Sequence, residues 1–394
     1  MTVASLALAA CGGTQGRSGA PTTAPSAPRT STTSVPTTTP VPSPSTSGPP
    51  TTAPAKGCVP PPSSWPATRV ADQLLMVIGE FTSAASLAAE ADAGVGGFVF
   101  LGEPSAAART ALRAALGALD ADAAGAGQVQ PWMSTDTEGG PVSRLANVLG
   151  SIPSARSMAA QWTPAQVESA MEARGRALLA LGVTMDLAPV LDVAAPTDPV
   201  ADESQRSFSA TPQVAASYGV AFAAGLRAAG VVAVGKHFPG LGHASADTDT
   251  GPATDPPLDQ LRSDDLVPFS SAIAAGLPVV MVGHPVVPGL TGGLPASLSP
   301  ATYALLRRTL HFSGVAMTDA LGAGAISAEG DSEPAAAVAA VRAGADMAMV
   351  DAGTWQPAAD ALVGALGSGT LTRAQADASV SRVLEAKRVS VCRA

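Results

Sequence analysis

Residues 231–243 read Val-Val-Ala-Val-Gly-Lys-His-Phe-Pro-Gly-Leu-Gly-His, a short apolar run that ends in a cluster of polar side chains. An unbroken run, rather than an alternating one, is typical of a parallel strand buried on both faces. Polar residues at the end of such a strand are typical of a functional site at the carboxyl edge of an α/β sheet. The segment therefore predicts a parallel sheet with its chemistry at the strand ends.

Seven more apolar runs of this kind occur along the chain, with Ala-rich helical stretches between them. Helix starts are marked by Thr163-Pro164-Ala165-Gln166, Ser299-Pro300 and Thr372-Arg373-Ala374-Gln375. Eight β units with intervening helices predict an α/β fold, a (β/α)8 TIM barrel. A doubly wound open sheet is the second choice, but no G-x-G-x-x-G follows the first strand. The predicted strands are 73–78, 97–101, 130–135, 184–191, 231–236, 278–283, 314–318 and 346–350.

The charge balance excludes one class of partner. The 394 residues carry 22 Lys plus Arg against 31 Asp plus Glu, for a formal net charge of -9. Nucleic-acid binding needs a basic surface, so no nucleic-acid partner is expected.

The N-terminus has the composition of a targeting segment followed by a stalk. Residues 3–10 are apolar and lead into Cys11, a pattern that resembles the lipobox of bacterial lipoproteins. Thr, Ser, Pro and Gly then dominate up to Lys56, and such a stretch cannot bury enough surface to fold. We expect a signal peptide at 1–10, lipidation of Cys11, a disordered linker at 11–57 and one folded domain at 58–394. A disordered N-terminus with a chance Cys is the alternative.

Two more cysteines lie at the two ends of the folded part. Barrel closure brings the first and last elements together, and export permits disulfides. We predict a Cys58–Cys392 bridge, with two unpaired thiols as the alternative.

Polar residues follow most of the predicted strands, although charged residues are only 13% of the chain. Clustering at the strand ends favours a functional site over a solvated surface. For any single residue, a loop cap or a salt bridge at the barrel mouth is the alternative. These residues are Asp136, Glu138 and Arg144 after the third strand, Asp192 after the fourth, Lys236, His237, His243, Asp247 and Asp249 after the fifth, and His284, Asp319 and Asp351 after the sixth, seventh and eighth.

Several strings, in order, resemble glycoside hydrolase family 3, in particular its single-domain β-N-acetylglucosaminidases of the NagZ type. The most specific is Lys236-His237-Phe238-Pro239-Gly240, and the resemblance runs from about Ala71 to Val389. Supporting strings are Asp136-x-Glu138-Gly139-Gly140, Ala188-Pro189-Val190-Leu191-Asp192, Arg206-Ser207-Phe208, Pro295-Ala296-Ser297-Leu298-Ser299, Thr318-Asp319-Ala320-Leu321 and Ala343-Gly344-Ala345-Asp346-Met347.

The resemblance implies retaining hydrolysis of a β-linked N-acetylglucosamine without a cofactor, with cell-wall glycans such as peptidoglycan fragments as substrates. Asp319 falls on the position of the nucleophile; a structural Asp that caps the next helix is the alternative. Arg206 could instead hold Asp136 or Asp192 in a salt bridge. The residues on sugar-binding positions are Asp136, Arg144, Arg206, Lys236 and His237.

The chain departs from this pattern at the acid/base. Enzymes of this type carry an Asp-Ser-His triplet after the fifth strand, whereas this chain has Asp247-Thr248-Asp249. Three interpretations follow. Asp249 or Asp247 acts as the acid, because two close carboxyls raise one pKa; His243 takes the role; or the site binds sugar and hydrolyses it slowly or not at all.

Two other functions remain open. A metal-dependent hydrolase would use His237, His243 and His284 with nearby Asp residues, but no known metal spacing is present and no metal is expected. A non-catalytic glycan-binding lipoprotein is the other. In either the enzyme or the binding reading, we expect a monomer exported to the outer face of the bacterial cell membrane and attached only through its lipid.

Overall fold

The computed structural model describes residues 57–198 and 203–392, and its centre is a closed barrel of eight parallel strands. The strands follow one another around the barrel in chain order, and the first pairs with the last, with Leu75 opposite Ala348. The predicted TIM barrel is therefore confirmed. The strands are β1 Leu75–Glu80, β2 Gly97–Leu101, β3 Trp132–Thr135, β4 Met185–Asp186, β5 Val232–Phe238, β6 Val279–Val282, β7 Val315–Ala320 and β8 Met347–Asp351.

Helices cover the outside of the barrel. Thr163 and Thr372 each form a capping box, as predicted, whereas Ser299 precedes the predicted Pro but makes no side-chain cap. A short antiparallel hairpin, Thr137–Gly139 with Val142–Ser143, follows β3. The helices of five or more residues are Ala67–Gln73, Ala88–Ala93, Arg109–Gly125, Ala155–Gln161, Pro164–Leu181, Pro212–Ala229, Leu258–Ser263, Leu266–Ala274, Pro300–Ala304, Glu333–Ala343, Trp355–Ser368 and Arg373–Ala386, and a π-helical turn spans Leu305–Thr309. A 3-10 helix of seven residues spans Phe81–Leu87. Shorter helical segments are Pro62–Ser64, Ala106–Ala108, Ala146–Leu149, Glu203–Arg206, Ala296–Leu298, Gly324–Ser327 and Ala352–Thr354.

Most predicted strands are displaced by one or two residues at an end, and two of the differences have a clear cause. β1 begins two residues later than predicted, because the preceding helix continues to Gln73. The predicted strand 184–191 shrinks to Met185–Asp186, since Pro189 has no N–H to donate to a ladder. The rest of that segment still lies alongside β5 and is joined to it by isolated hydrogen bonds. One of them runs from Lys236 N–H to the Pro189 carbonyl at 3.1 Å.

The core has two layers. Inside the barrel lie methionines from several strands, among them Met76, Met185 and Met317, which fill the space with flexible side chains. Between strands and helices lies a larger aliphatic and aromatic layer that includes Phe98 and Phe100. The strands are thus held rigidly from both sides, which fixes the direction of side chains at their ends.

The two ends of the described region meet at the N-terminal side of the barrel. Cys58 and Cys392 form a disulfide, with Cα atoms 4.9 Å apart. Beside it, Val59 N–H donates to the Ser390 carbonyl at 2.9 Å and Cys392 N–H to the Val59 carbonyl at 2.8 Å. The predicted signal peptide, the predicted lipidation site Cys11 and the predicted linker up to residue 56 lie outside the described residues. Across the described part of the chain, no helix is long and apolar enough to cross a bilayer.

A buried carboxylate stabilises the same end of the barrel. Asp346 is fully buried just before β8 and binds Arg307 at 2.5 Å and Arg382 at 2.7 Å. Its carboxylate also accepts a hydrogen bond from Ala316 N–H at 2.9 Å. Both carboxylate oxygens are thus occupied by donors within the protein.

Candidate active site

Lys236 is the centre of the charge network at the barrel mouth. It is buried near the end of β5, where its Nζ lies 2.6 Å from Asp136 Oδ1 and 2.7 Å from Glu138 Oε1. Burial alone would lower the pKa of Lys236, but the two carboxylates outweigh burial and raise it. The lysine therefore stays charged and holds the hairpin after β3 against β5.

Arg206 forms the second part of this network. Its guanidinium binds Glu138 with two parallel hydrogen bonds, at 2.8 and 2.9 Å. The alternative considered for Arg206, a salt bridge to Asp136 or Asp192, named the wrong carboxylate: Glu138 lies buried beside Lys236 and is the counter-ion of both cations. Burial alone raises the pKa of Glu138, but Arg206 and Lys236 outweigh it and hold that pKa far below its ordinary value.

His237 is oriented by the end of the β4 segment. Its Nδ1 lies 2.7 Å from Asp192 Oδ2, and its backbone N–H donates to Asp192 Oδ1 at 3.1 Å. Burial lowers the pKa of His237, but the Asp192 carboxylate outweighs this and raises it. With Nδ1 committed to Asp192, Nε2 faces Arg206 Nη2 at 3.4 Å, on the side of the mouth.

Asp319 lies near the end of β7, partly exposed. One carboxylate oxygen accepts a hydrogen bond from Ala320 N–H at 2.8 Å. Burial by itself raises the pKa of Asp319, but the positive charge of His237, together with that N–H and Lys236, holds the pKa below its ordinary value. Asp319 is therefore ionised at neutral pH, as a nucleophile must be.

His284, after β6, supports Asp319 indirectly. Its Nε2 lies 2.9 Å from the Ala320 carbonyl, an acceptor, so Nε2 carries the proton. Nδ1 then accepts from Ser297 Oγ at 2.7 Å. Burial lowers the pKa of His284 and favours this neutral form. Nε2 thus positions the residue that follows Asp319, while Ser297 holds the other side of the ring.

The loop that carries Asp247 and Asp249 is anchored on the segment after β7. Gly324 N–H donates to the Asp249 carbonyl at 2.9 Å, and Ala325 N–H donates to the Thr248 carbonyl at 3.1 Å. A Cβ at position 324 would come within 2.5 Å of the Thr250 carbonyl carbon, so only glycine allows this approach. Asp249 is therefore held over the strand end that carries Asp319.

The side chain of Asp249 is exposed at the mouth. The surrounding loop desolvates its carboxyl and raises its pKa, and the charges of Asp319 and Asp247 raise it further. Asp247 is also exposed; its Oδ1 accepts a hydrogen bond from Asp249 N–H at 2.9 Å and so fixes the turn. Asp249 and Asp319 thus have pKa values shifted in opposite directions.

His243 is held away from the acid/base role by Asp265. Its Nδ1 lies 3.2 Å from the buried Asp265 carboxylate, which raises the pKa of His243. The metal hypothesis also lacks geometry, because His237, His243 and His284 bind separate protein partners. Over residues 57–198 and 203–392, no three His, Cys, Asp or Glu side chains are grouped to hold a metal ion.

The structure brings most of the expected site residues together. Arg144 lies 3.9 Å from Asp136 through its Nε, which has no hydrogen-bond partner among the described residues. Asp351 is exposed at the rim, where its N–H binds Glu333 rather than the network. Glu138 and Asp192 lie within the motifs that carry the resemblance, but neither was assigned a catalytic or sugar-binding role. Their positions at the ends of predicted buried strands were the signal that could have identified them.

A second buried carboxyl lies beneath the network. Asp186, on β4, accepts hydrogen bonds from the side chain and backbone N–H of Thr137. Burial is the main reason that its pKa is raised to about 7. This group supports the hairpin that carries Asp136 and Glu138, and sequence reasoning missed it because it lies inside a predicted strand.

Comparisons with a family model, with related sequences and with solved structures all point to the same family of glycosyl hydrolases. The model of the glycosyl hydrolase family 3 N-terminal domain matches residues 70–386. A β-hexosaminidase, LpqI, from Mycobacterium tuberculosis is 43% identical over 279 residues, which cover 69% of this chain and 71% of that protein. A Mycobacterium smegmatis glycosyl hydrolase of the same family has a crystal structure that superposes with a TM-score of 0.76 at 40% identity, over 82% of this chain and 98% of that one. A Paenibacillus family 3 β-N-acetylglucosaminidase superposes with a TM-score of 0.75 at 32% identity, over 82% and 62%.

Proposed function

The chain belongs to glycosyl hydrolase family 3, and we propose that it is a retaining β-N-acetylhexosaminidase that acts on glycans of the cell wall. The observation that carries this proposal is the pair of carboxyl groups on anchored segments, Asp319 with a lowered pKa and Asp249 with a raised one. Two carboxyls whose environments push their pKa values apart are typical of a nucleophile and a general acid.

The proposed reaction has two steps. Asp319 attacks the anomeric carbon while the protonated Asp249 gives its proton to the leaving oxygen, which forms a glycosyl ester on Asp319. Ionised Asp249 then takes a proton from water, and the water oxygen displaces Asp319 from the sugar. The anomeric configuration is retained because the carbon is inverted twice.

The remaining charged residues supply binding to the sugar. Arg144 keeps an unused Nε donor beside Asp136, and Nε2 of His237 faces the mouth. Asp136 and Lys236 are held by each other, so they present donors and acceptors in fixed positions. Arg206 belongs to the same set through Glu138. Hydroxyl and amide groups of an N-acetylhexosamine suit such a mixed surface.

The test compares wild type with Asp319→Asn on 4-nitrophenyl β-N-acetylglucosaminide. We expect wild-type turnover, with the β anomer of the sugar as first product by NMR, and a loss of roughly 10³-fold or more in kcat/KM for the variant. Equal turnover by the variant would contradict Asp319 as nucleophile, and an α anomer as first product would contradict retention.

One observation favours a second candidate, a glycan-binding protein with little catalysis. Asp249 stands where the resemblance expects a histidine, and its side chain is exposed. The nitrophenolate leaving group needs little protonation, so even a poor acid leaves measurable hydrolysis of that substrate. A wild type without turnover that still binds N-acetylglucosamine in calorimetry would favour this candidate.

We further infer a location for the protein. Residues 1–10 are proposed as a lipoprotein signal, Cys11 as the lipidated residue, 11–57 as a linker and 58–394 as a monomeric barrel outside the membrane. Incorporation of labelled palmitate into wild type but not Cys11→Ala is the expected result. Labelling of both would contradict Cys11 as the anchor.

A further inference from the structure

Two of the sequence strings that resemble family 3, residues 295–299 and 343–347, have no part in the proposed reaction. The first lies in the segment after β6 and forms the short 3-10 turn Ala296–Leu298. Ala296 N–H donates to the Pro285 carbonyl at 3.0 Å, so this turn is fastened beside His284. The string therefore reaches the barrel mouth at the end of β6.

Ser297 joins this turn to His284. Its side chain is fully buried, and its Oγ donates to His284 Nδ1 at 2.7 Å. The opposite ring nitrogen, Nε2, donates to the Ala320 carbonyl at 2.9 Å. Ala320 in turn donates its backbone N–H to an Asp319 carboxylate oxygen at 2.8 Å. A sequence of three hydrogen bonds thus leads from Ser297 to the proposed nucleophile.

Tyr303 holds Ser297 from the other side. Its hydroxyl donates to the Ser297 carbonyl at 2.7 Å, and both residues are buried. The string 343–347 makes room for Tyr303, since a Cβ at Gly344 would come within 2.7 Å of Tyr303 Cβ. Gly344 also has a φ of 133°, a conformation that favours glycine. Both strings therefore help to fix the position of Ser297.

The surroundings of His284 favour a neutral ring. Burial is the main reason that the pKa of His284 is lowered, and the charge of His237 adds to it. The Asp319 and Asp249 carboxylates and the Ala320 carbonyl oppose this without overcoming burial. A second imidazolium beside Asp319 would stabilise its ionised form and so oppose formation of the uncharged glycosyl ester. A neutral His284 can orient the nucleophile without that cost.

We propose that Ser297 is a positioning residue that fixes His284 as a neutral ring protonated on Nε2, and that His284 in turn aims the Asp319 carboxylate. A hydroxyl that donates to Nδ1 leaves Nε2 as the nitrogen that carries the proton. That proton holds the backbone of Ala320, whose N–H fixes the carboxylate. The proposal rests on the proposed role of Asp319 as the nucleophile.

The kinetic test compares Ser297→Ala with Ser297→Thr on 4-nitrophenyl β-N-acetylglucosaminide. This leaving group needs little protonation, so kcat/KM reports the attack by Asp319 rather than proton transfer. We expect kcat/KM to fall about tenfold in Ser297→Ala, because small displacements of a reacting group are costly. Ser297→Thr keeps the hydroxyl and should recover most of this loss. Ser381→Ala, on an exposed helix position, is the matched control and should keep the wild-type rate.

The kinetic outcomes separate this proposal from the proposed function. Wild-type turnover with an equal kcat/KM in Ser297→Ala would overturn the positioning role and leave the hydrolase intact. The affinity for N-acetylglucosamine in calorimetry should stay at the wild-type value in Ser297→Ala. A loss of that affinity as large as the loss of kcat/KM would mean that the variant damages the whole mouth, and would also overturn the role.

The spectroscopic test does not depend on turnover. Long-range 1H–15N correlation NMR on the 15N-labelled full chain distinguishes protonated from unprotonated ring nitrogens, and the spectrum of His284→Gln identifies the His284 signals. We expect an unprotonated Nδ1 and a protonated Nε2 in His284 from about pH 5 to 8, a range in which the exposed His311 should titrate. A doubly protonated His284, or a proton on Nδ1 alone, would overturn the proposal. The four histidines of the chain are His237, His243, His284 and His311.

The variants complete the spectroscopic test. Ser297→Ala removes the donor to Nδ1, so His284 should lose the pattern of a single fixed tautomer. An unchanged pattern would show that the Ala320 carbonyl alone selects the tautomer, and would overturn the role of Ser297. His284→Gln keeps an amide donor for that carbonyl, so it should retain more kcat/KM than His284→Phe. Equal losses in these two variants would contradict the contribution of the bond to Ala320.

Discussion

The two ends of the barrel surround an aspartate with different numbers of hydrogen-bond donors. At the base, Asp346 is enclosed by two arginines and a backbone N–H, which occupy both carboxylate oxygens. At the mouth, the Asp319 carboxylate accepts a single hydrogen bond, from Ala320 N–H, among the described residues. The first group has no capacity left for a ligand, whereas the second keeps most of its acceptor capacity for one.

This difference separates stability from chemistry. Fully paired charges at the base hold strands and helices together and gain nothing from a substrate. The mouth keeps Asp319 ionised mainly through the charge of His237 rather than through a direct ion pair, so a reacting carbon can still approach it. Changes at the mouth should therefore alter rates, and changes at the base should alter unfolding.

The largest effect is expected from removal of the proposed acid. Asp249→Ala should lower kcat/KM for diacetylchitobiose by about 10²–10⁴-fold, because the sugar leaving group needs a proton. Nitrophenyl-glycoside hydrolysis should fall far less. The exposed Asp259 supplies the control variant Asp259→Ala, for which both rates should stay at the wild-type value. Equal losses on the two substrates would contradict the role of Asp249 as an acid.

Removing the Asp346 carboxylate at the base of the barrel should have a smaller effect, and it should change stability but not the rate of hydrolysis. Asp346→Ala leaves Arg307 and Arg382 facing each other, and we expect a loss of about 3 kcal/mol in the free energy of unfolding. This is the lower end for a broken buried pair, because both arginines are partly exposed. Denaturant unfolding measures it, and Asp360→Ala on an exposed helix face is the control. A fall in kcat without a loss of stability would contradict the separation of stability at the base from chemistry at the mouth.

The sequence predicted the barrel well because strands buried on both faces leave a strong apolar signal. The strand prediction failed over residues 187–191, where the composition is still apolar but Pro189 has no N–H to donate to a neighbouring strand. The backbone donor, rather than hydrophobicity, decides the outcome there. A pattern of apolar side chains does not show whether one missing backbone N–H will end a strand. That depends on the hydrogen bonds that the neighbouring strand requires.

The structure groups most of the residues that the sequence singled out, but one pairing differs from the alternative considered. A salt bridge of Arg206 to Asp136 or Asp192 was the alternative to sugar binding, and the structure gives Glu138 as the partner, since the hairpin after β3 turns that residue inward. Such pairings depend on loop paths between distant segments, which residue types do not determine.

An intermediate effect on kcat is expected from the position where the segment after β7 packs closely against the backbone of the Asp249 loop. Gly324→Ala would place a Cβ against the backbone of residues 250 and 251, so the Asp249 loop must move outward. We expect about a tenfold loss in kcat for diacetylchitobiose, since small displacements of a catalytic group are costly. Gly353→Ala, whose Cβ would meet nothing within 4 Å, is the matched control. Unchanged kinetics would show that this contact does not position Asp249.

The smallest effect tests how the two mouth carboxyls divide the pH range. Asp249 has a raised pKa and must be protonated to act as the acid, so activity on diacetylchitobiose should fall as pH rises through that pKa. Asp319 has a lowered pKa and must be ionised, so activity should fall again only when pH drops through that lower value. Asp247→Asn keeps an oxygen for Asp249 N–H but removes a negative charge, which should shift the basic limb to lower pH by less than about one unit. A basic limb that stays in place, or moves to higher pH, would mean that Asp249 is not the group that titrates there.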